Sequence, residues 1–367
     1  MNNAVIYPDD IILAPMAEIS HSAFRRLCTD FGGFDWYFTE MLSAPGLVST
    51  SIYTPWYFDF GPEPQRTFVQ LAGSEPEMFY QAAEKILAGE PESGKVAGID
   101  INMGCSVHHI RKRGWGVELM DKPASAFDII KSLKPLLGDR SLSVKLRIGK
   151  EEDPDKLLRF CESLVNAGIA FITLNPKTSR TNRNRPGDWR FVQMLREKLP
   201  VPVVGNGEIR SLETCASRRR TAGPGPIMIG RAAVQKPWLA AELKANMARP
   251  PAAGSAAGSA DSSAANSATA VHAPKSLFND GRVDLTATIE RFFDLLKEYQ
   301  PEDFHISRAR RFFFYFCDNF KFGYQVKMAI QHAPDLSAIR ELVFGYLQRN
   351  PQERYRPLST APVTRNV

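Results

Sequence analysis

Short runs of apolar residues recur along the N-terminal two thirds of the chain, and each predicts a buried β-strand. The eight runs are Ile11–Ala14, Tyr37–Thr39, Thr67–Leu71, Gly98–Ile101, Ser143–Arg147, Phe171–Leu174, Val201–Val204 and Pro226–Ile229. Apolar residues at helical spacing between them predict helices at Pro76–Leu87, Ala124–Leu137, Asp155–Ala167 and Phe191–Leu199. Eight strand–helix units in about 230 residues are typical of an α/β fold of the (β/α)8 TIM-barrel type.

A doubly wound parallel sheet is the alternative arrangement of alternating strands and helices. That fold binds dinucleotides through a glycine-rich turn between a strand and the helix that follows it. Gly223-Pro224-Gly225 precedes a strand and contains a proline, so it is not such a turn. The barrel is therefore the preferred prediction.

The composition changes abruptly after the barrel. Residues 248–276 are mostly Ala, Ser, Gly and Pro, and burial cannot offset the entropy of ordering them, so we expect a flexible linker. Helical patterns resume at Leu285 and continue over Ser307–Phe320 and Leu336–Leu347. They predict a small C-terminal all-α helical domain over 277–350, after a barrel domain over 1–247. We expect the polar residues 351–367 to form a disordered tail.

The net charge is a mild +6, from 46 basic and 40 acidic side chains, and its clustering is more informative than its size. The clusters are Arg180, Arg183, Arg185 and Arg190; Arg218, Arg219 and Arg220; and Arg308, Arg310 and Arg311 beside Phe312, Phe313 and Phe314. Basic patches next to aromatic side chains suit nucleic acid. For any single cluster, an ordinary solvated surface is the commoner explanation.

The N-terminus and the cysteines indicate the compartment. Met1-Asn2-Asn3-Ala4 lacks the basic region and apolar stretch of a signal peptide, and the longest apolar run, Phe312–Cys317, is too short to span a bilayer. The five cysteines are scattered, with no Cys-x-x-Cys pair, which argues against a zinc site or a disulfide framework. We expect a cytoplasmic protein without a metal.

The ends of the predicted strands carry reactive and polar groups. In a barrel the carboxyl ends of the strands meet at one mouth, where active sites form. The residues at these ends are Pro15, Met16, Ala17, Glu40, Met41, Gln70, Asn102, Cys105, Lys145, Asn175, Lys177, Asn206, Gly207, Glu208, Gly230 and Arg231. A lone cysteine is more often a small buried apolar residue. The amide side chains, the amine and the glycine turns at the other strand ends favour a reactive Cys105 instead.

This set of residue types suits a phosphorylated flavin. The glycine turns at Gly207 and Gly230 close the last two strands, where barrels often bind phosphate, and Arg231 could neutralise it. Gln70 and Lys145 would lie deeper, within reach of a ring system. A lysine beside a flavin stabilises its anionic reduced form. We therefore expect FMN across the mouth, with Cys105 over it.

These motifs resemble those of the tRNA-dihydrouridine synthases. The matching segments, in the order of the family, are Leu13–Ala17, Phe24-Arg25, Thr39–Met41, Val69–Gly73, Asp100–Cys105, Val144–Arg147, Gly205–Ile209 and Met228–Ala233. They span the whole predicted barrel. The residues of Asp100–Cys105 and Met228–Ala233 are most similar to those of the B-type bacterial branch.

The resemblance implies an oxidoreductase that uses FMN and NADPH or NADH to reduce the C5=C6 bond of uridines in tRNA. Cys105 would be the general acid that protonates C5. The flavin contacts implied are Pro15, Met16, Ala17, Gln70, Asn102, Lys145 and Asn175, with Asn206, Gly207, Glu208, Gly230 and Arg231 at the ribityl phosphate end. The helical region would bind tRNA around a flipped base, and a monomer is expected.

The chain departs from the family pattern at several positions. Ser106 follows the cysteine where the family has proline, and Glu208 replaces an aspartate. Asn175 stands where a family histidine contacts FMN, so flavin affinity or redox tuning could differ. The linker after the barrel is unusual for the family and suggests looser coupling between the two domains.

Two other functions fit parts of the sequence. A flavin-barrel oxidoreductase could act on a free pyrimidine, but a small substrate needs neither the arginine clusters nor the helical domain. A tRNA-binding relative without catalysis would explain Asn175 and Ser106, but Cys105, Lys145 and both glycine turns are retained.

Overall fold

The structure is a computed structural model that describes residues 4–49, 51–89, 95–180, 185–247 and 277–358. The predicted linker, Arg183 of the first arginine cluster and residues 359–367 of the predicted tail lie outside the described residues.

Within the described residues, nine parallel strands form one closed sheet. They are β1 (Ile11–Leu13), β2 (Trp36–Phe38), β3 (Leu42–Ser43), β4 (Thr67–Ala72), β5 (Gly98–Met103), β6 (Ser141–Arg147), β7 (Phe171–Asn175), β8 (Val203–Asn206) and β9 (Ile227–Ile229). β2 and the short β3 occupy one position of the barrel, since both pair with β4. The nine strands therefore fill eight positions. Pairing of β1 with both β9 and β2 closes the ring. The predicted eight-position TIM barrel is confirmed.

The helices of the barrel lie between these strands. They are α1 (Ser22–Phe31), α2 (Ala44–Val48), α3 (Thr54–Tyr57), α4 (Pro76–Ala88), α5 (His108–Lys112), α6 (Pro123–Leu137), α7 (Pro154–Asn166), α8 (Arg190–Lys198), α9 (Leu212–Ala222), α10 (Arg231–Gln235) and α11 (Leu239–Met247). The described helices include none long and apolar enough to cross a bilayer.

Alternation along the strands separates two environments. In β5, Ile99, Ile101 and Met103 face outward and join the main core under the helices, because successive side chains of a strand point to opposite faces. A second buried cluster fills the base of the barrel and includes Phe68 and Phe171. Two residues further along the same strands stand buried polar residues, Gln70 and Thr173. The barrel interior is therefore apolar at its base and polar towards the mouth.

The C-terminal region is mainly helical, as predicted. Its helices are α12 (Leu285–Tyr299), α13 (Glu302–Phe316), α14 (Gly323–His332) and α15 (Leu336–Arg349). The structure adds a small antiparallel sheet of β10 (Phe278–Asn279), β11 (Arg282–Asp284) and β12 (Tyr355–Pro357), which the all-α prediction did not include. The expectation of disorder from residue 351 is wrong for the described residues. β12 is ordered because it pairs with β11, and Arg354 next to it pairs with Asp284 at 2.7 Å.

The two domains pack closely, contrary to the expected loose coupling. α12 lies against α1, and α13 lies against α10. The ring centroids of Phe24 and Phe312 are 6.2 Å apart across this joint, and Arg291 pairs with Asp30 at 2.6 Å. Buried residues of both domains belong to one continuous hydrophobic core. The interface is thus apolar in its centre and bridged by charged groups.

Candidate active site

Three buried side chains of β4 and β5 are hydrogen-bonded in series below the mouth. Gln70 donates from Nε2 to Oδ2 of Asp100 at 2.7 Å, and Asn102 donates from Nδ2 to Oε1 of Gln70 at 2.8 Å. The register pairs Gln70 with Asp100 and keeps Asn102 two positions further along, so all three face the barrel interior. Ser143 donates to the other oxygen of Asp100 at 2.6 Å.

Cys105 lies on the loop that leaves β5, and this loop is held from both sides. Oδ1 of Asn102 accepts hydrogen bonds from the backbone N–H of Cys105 at 3.0 Å and of Gly104 at 3.3 Å. The backbone carbonyl of Cys105 accepts from Val117 N–H at 3.1 Å. Cys105 is partly accessible, whereas the other four cysteines of the chain are buried. The thiol is therefore the one that a ligand at the mouth can reach.

Lys145 stands beside this series on β6. Burial, together with the nearby Arg147 guanidinium, lowers the pKa of Lys145 to about 8, although Asp100 opposes the shift. Burial likewise raises the pKa of Asp100 to about 6, against the hydrogen bonds from Ser143 and Gln70. Lys145 forms no ion pair with any described residue. With a pKa of about 8 the amine is still mostly protonated at neutral pH, and this cation can pair with an anionic or electron-rich ligand.

The end of β7 presents polar atoms without protein partners. Oγ1 of Thr173 and Oδ1 of Asn175 are buried and accept no hydrogen bond within the described structure. Buried polar atoms are nearly always hydrogen-bonded in native proteins. Thr173 pairs in register with Lys145, so the unused acceptors and the lysine lie in the same polar part of the barrel interior. Unpaired buried acceptors beside an amine call for a polar ligand or water.

Glu208 has a different environment from the one expected. Its carboxylate lies 2.5 Å from Nζ of Lys177 and 3.5 Å from Nη2 of Arg218, and it accepts the N–H of Gly187 at 3.1 Å. A carboxylate repels phosphate, so the side chain of Glu208 is not a phosphate ligand. It orders the loop after β7 instead.

The two glycine turns lie at neighbouring strand ends. Asn206 donates from Nδ2 to the Met228 carbonyl at 2.9 Å, which ties β8 to β9. Gly207 has φ of 133°, a value that side-chain-bearing residues rarely adopt. A Cβ at Gly230 would lie 3.6 Å from both Ala14 and Met16. Arg231, Pro15, Met16 and Ala17 are at least partly accessible around this turn.

Two groups of predicted residues lie elsewhere. Glu40 forms an ion pair with Arg308 of the helical domain rather than facing the mouth. Arg310 donates to the Ala333 carbonyl at 2.6 Å and Arg311 to Glu18 at 2.5 Å, while Phe312 and Phe313 are buried. Arg308 and Arg311 therefore join the domains, whereas Arg310 bonds within the helical domain. Most of the third cluster is engaged by the protein itself, so the prediction of an open polyanion surface is wrong for Arg308, Phe312 and Phe313, while Arg311 and Phe314 are exposed.

The buried polar residues between the apolar base and the mouth form a polar layer of the barrel interior. This layer includes Asp100, Ser143 and Thr173, for which no role was predicted from the sequence. The strict alternation of polar residues within β5 and β6 was a signal for this layer. It does not reveal which polar side chains meet across strands, because that depends on register.

Comparison with known proteins agrees with this arrangement. The sequence profile described as dihydrouridine synthase (Dus) matches residues 12–279. A probable tRNA-dihydrouridine synthase of Aquifex aeolicus is 32% identical over 240 residues, covering 64% of this chain and 72% of that protein. The probable tRNA-dihydrouridine synthase 1 of Synechocystis is 28% identical over 234 residues, covering 64% of each.

A B-type relative is also among the matches. The tRNA-dihydrouridine synthase B of Shewanella oneidensis is 30% identical over 237 residues, covering 64% of this chain and 71% of that protein. The resemblance noted in the motifs is confirmed, and the family profile extends over most of the chain. This protein therefore belongs to the dihydrouridine synthase family.

Proposed function

We propose that this protein reduces the C5=C6 bond of uridines in tRNA to 5,6-dihydrouridine, using FMN and NADPH or NADH. The observation that carries the proposal is the partly accessible Cys105 thiol at the end of β5, next to the polar part of the barrel interior that contains Lys145. Relatives named tRNA-dihydrouridine synthase support it.

The residues present fit a flavin mononucleotide. Lys145 supplies a cation in an enclosed site, and Thr173 and Asn175 have unused buried acceptors. Gln70 keeps one amide hydrogen and one lone pair beyond its two protein partners, which suits a ring that carries both donors and acceptors. Pro15, Met16 and Ala17 would lie against the ring. Asn102 contributes indirectly by holding Gln70 and the loop.

The phosphate end would lie at the turns after β8 and β9. Gly207 and Gly230 allow a close approach of the backbone, and Asn206 keeps the two turns together. Arg231 is the first residue of α10 and is exposed, so its guanidinium can pair with a phosphate. Glu208 takes part only through its backbone, since its carboxylate already neutralises Lys177.

The chain's own residues would carry the proton chemistry. When bound and reduced, FMN would supply the hydride that adds to C6 of the uridine. Cys105 would hold the proton that is delivered to C5, and Asn102 fixes the backbone from which the thiol projects. A uridine must leave the tRNA stack to reach this point. Exposed Arg180 and Arg185, which follow β7 at the mouth, would contact the surrounding phosphates.

The test is an absorbance spectrum of the purified protein, followed by anaerobic addition of NADPH and then of unmodified tRNA. We expect a flavin spectrum that bleaches with NADPH and recovers with tRNA, with dihydrouridine in the product. Recovery with a free pyrimidine but not with tRNA would instead identify a small-molecule oxidoreductase. A protein that takes up no FMN but binds tRNA would identify a non-catalytic relative.

A further inference from the structure

The loop that carries Cys105 is connected to the carboxylate of Asp100 through two side chains. The connection runs from Asp100 to Gln70 at 2.7 Å, from Gln70 to Asn102 at 2.8 Å, and from Asn102 to the Cys105 N–H at 3.0 Å. Asp100 and Gln70 are 0% and 1% exposed. Water therefore has little access to replace a missing partner, and each broken link leaves a buried polar atom unpaired.

The direction of these hydrogen bonds is set at both ends. Backbone N–H groups of Gly104 and Cys105 can only donate, so the oxygen of the Asn102 amide must face them. The Asn102 nitrogen then faces the oxygen of Gln70, and the Gln70 nitrogen faces Asp100. An ionised carboxylate can only accept. Each amide thus has a single orientation in which every bond forms.

Ser143, the other hydrogen-bond partner of Asp100, fixes the carboxylate but is not itself part of the connection to Cys105. Ser143 donates to Oδ1 of Asp100, while Gln70 uses Oδ2. Both carboxylate oxygens are therefore engaged, and the carboxylate cannot rotate away from Gln70 without losing two hydrogen bonds. Asp100 is held rigidly, because β5 pairs with β6 along its whole length and Asp100 lies opposite Ser143 in this register.

We propose that Asp100 is a positioning residue that acts through Gln70 and Asn102 to hold the Gly104–Cys105 loop, and with it the thiol, at the mouth. The inference rests on the proposed function only for the task of the thiol. Gln70 is also an expected flavin contact. A ligand bound to Gln70 would therefore affect the same hydrogen bonds that hold the Cys105 loop in position.

Alkylation of Cys105 by iodoacetamide measures the freedom of this loop directly. The other four cysteines are buried, so the folded chain has one accessible thiol. All variants are compared at matched flavin content, including after removal of bound flavin. Neither activity nor tRNA is needed, so failure of this inference and failure of the proposed function are separate results.

Four variants test the series. Asp100→Leu and Gln70→Met break it at different links, and each should raise the alkylation rate of Cys105 about tenfold. The double variant should react no faster than either single one, since a series that is already broken cannot be broken again. Asp100→Asn should stay near the wild-type rate, because its amide oxygen can still accept from Gln70. Ser143→Ala removes the hydrogen bond to the other oxygen of Asp100 and leaves all three links in place, so its alkylation rate should stay below those of Asp100→Leu and Gln70→Met.

Three results would overturn the inference. The first is an unchanged alkylation rate in folded Asp100→Leu or Gln70→Met protein. The second is an additive effect in the double variant, which would indicate general loosening. The third is an Asp100→Asn rate as high as that of Asp100→Leu, which would assign the effect to the charge. If Asp100→Leu does not fold, Gln70→Met decides the question, because it changes no charge. Hydrogen exchange of the Gly104 and Cys105 amides should follow the alkylation rates.

Discussion

Glu40 and Arg308 form a buried bidentate ion pair between the barrel and the helical domain. Nη1 and Nη2 of Arg308 lie 3.0 and 2.9 Å from the two carboxylate oxygens of Glu40, and the Arg308 side chain is 4% exposed. The same carboxylate accepts the backbone N–H of Glu18 at 2.9 Å. Glu40 therefore links the helical domain to the loop after β1, which carries the expected flavin contacts Pro15 to Ala17.

Removal of one partner of this pair should destabilise the whole protein. Glu40→Gln or Arg308→Met leaves a buried group uncompensated, and we expect the free energy of unfolding to fall by about 3–5 kcal/mol. Arg311→Ala, which removes the exposed pair with Glu18, should cost at most about 1 kcal/mol. Urea denaturation of each variant and of the Glu40→Gln/Arg308→Met double variant measures the coupling. Equal losses for Arg308→Met and Arg311→Ala would contradict the role of burial.

Cys105→Ala should separate flavin reduction from uridine reduction. The loop is held through the backbone N–H of residue 105, so the substitution leaves its position unchanged. We expect normal flavin content and NADPH oxidation, with dihydrouridine formation reduced at least about 100-fold because the general acid is removed. Nucleoside analysis of the tRNA measures the product. A normal yield would exclude Cys105 as the acid.

Gly116→Ala should displace the Cys105 loop. Gly116 has φ of 64°, and a Cβ there would lie 2.4 Å from the Cys105 carbonyl oxygen. Gly114→Ala is a matched control. Gly114 also has a positive φ, of 77°, but a Cβ there would have only the flexible Lys122 amine nearby, at 3.6 Å. Both variants carry backbone strain, and only Gly116→Ala should strongly reduce uridine reduction. Equal losses would show that strain, and not the clash with Cys105, is responsible.

The half-buried Lys145 should make stability depend on pH above neutrality. Its pKa is about 8 in the folded protein and 10.5 in its ordinary state. Between these values the unfolded chain binds a proton that the folded chain has released, so the free energy of unfolding rises with pH. Relative to Lys145→Met, flavin-free wild-type protein should gain stability as pH increases from 8 towards 10.5. Denaturation of both proteins across this range measures the difference, and a constant difference would contradict the lowered pKa.

Exposed arginines after β7 should carry the salt-dependent part of tRNA binding. Arg180→Ala/Arg185→Ala should weaken binding and reduce the slope of log affinity against log salt by about 1 for each phosphate that is no longer neutralised. Lys198→Ala/Arg220→Ala removes two exposed charges near the C-terminal ends of α8 and α9, on the barrel face opposite the mouth. Filter binding over a salt series compares the pairs. Equal effects would indicate that tRNA does not approach the mouth by these residues.

The barrel and its mouth could be predicted from the order of residues because both depend on local patterns. Apolar runs separated by helical periodicity specify parallel strands with crossover helices, and the carboxyl ends of such strands necessarily meet. The positions of Cys105, Lys145 and Gln70 near one another follow from that geometry. The family motifs at the same strand ends pointed to the same site.

Tertiary structure decided which charged and polar groups pair with one another. Arg308 looked like a surface cation, but its partner Glu40 is 268 positions away. The sequence of β12 predicted disorder, because the residues that order it are distant in the chain: Arg354, just before β12, pairs with Asp284, 70 positions away, and β12 itself pairs with β11. The series from Asp100 to Cys105 depends on the register of β4 against β5. Local sequence encodes which residues are buried or exposed along an element, whereas the partner of a buried polar group is set only when distant segments pack together.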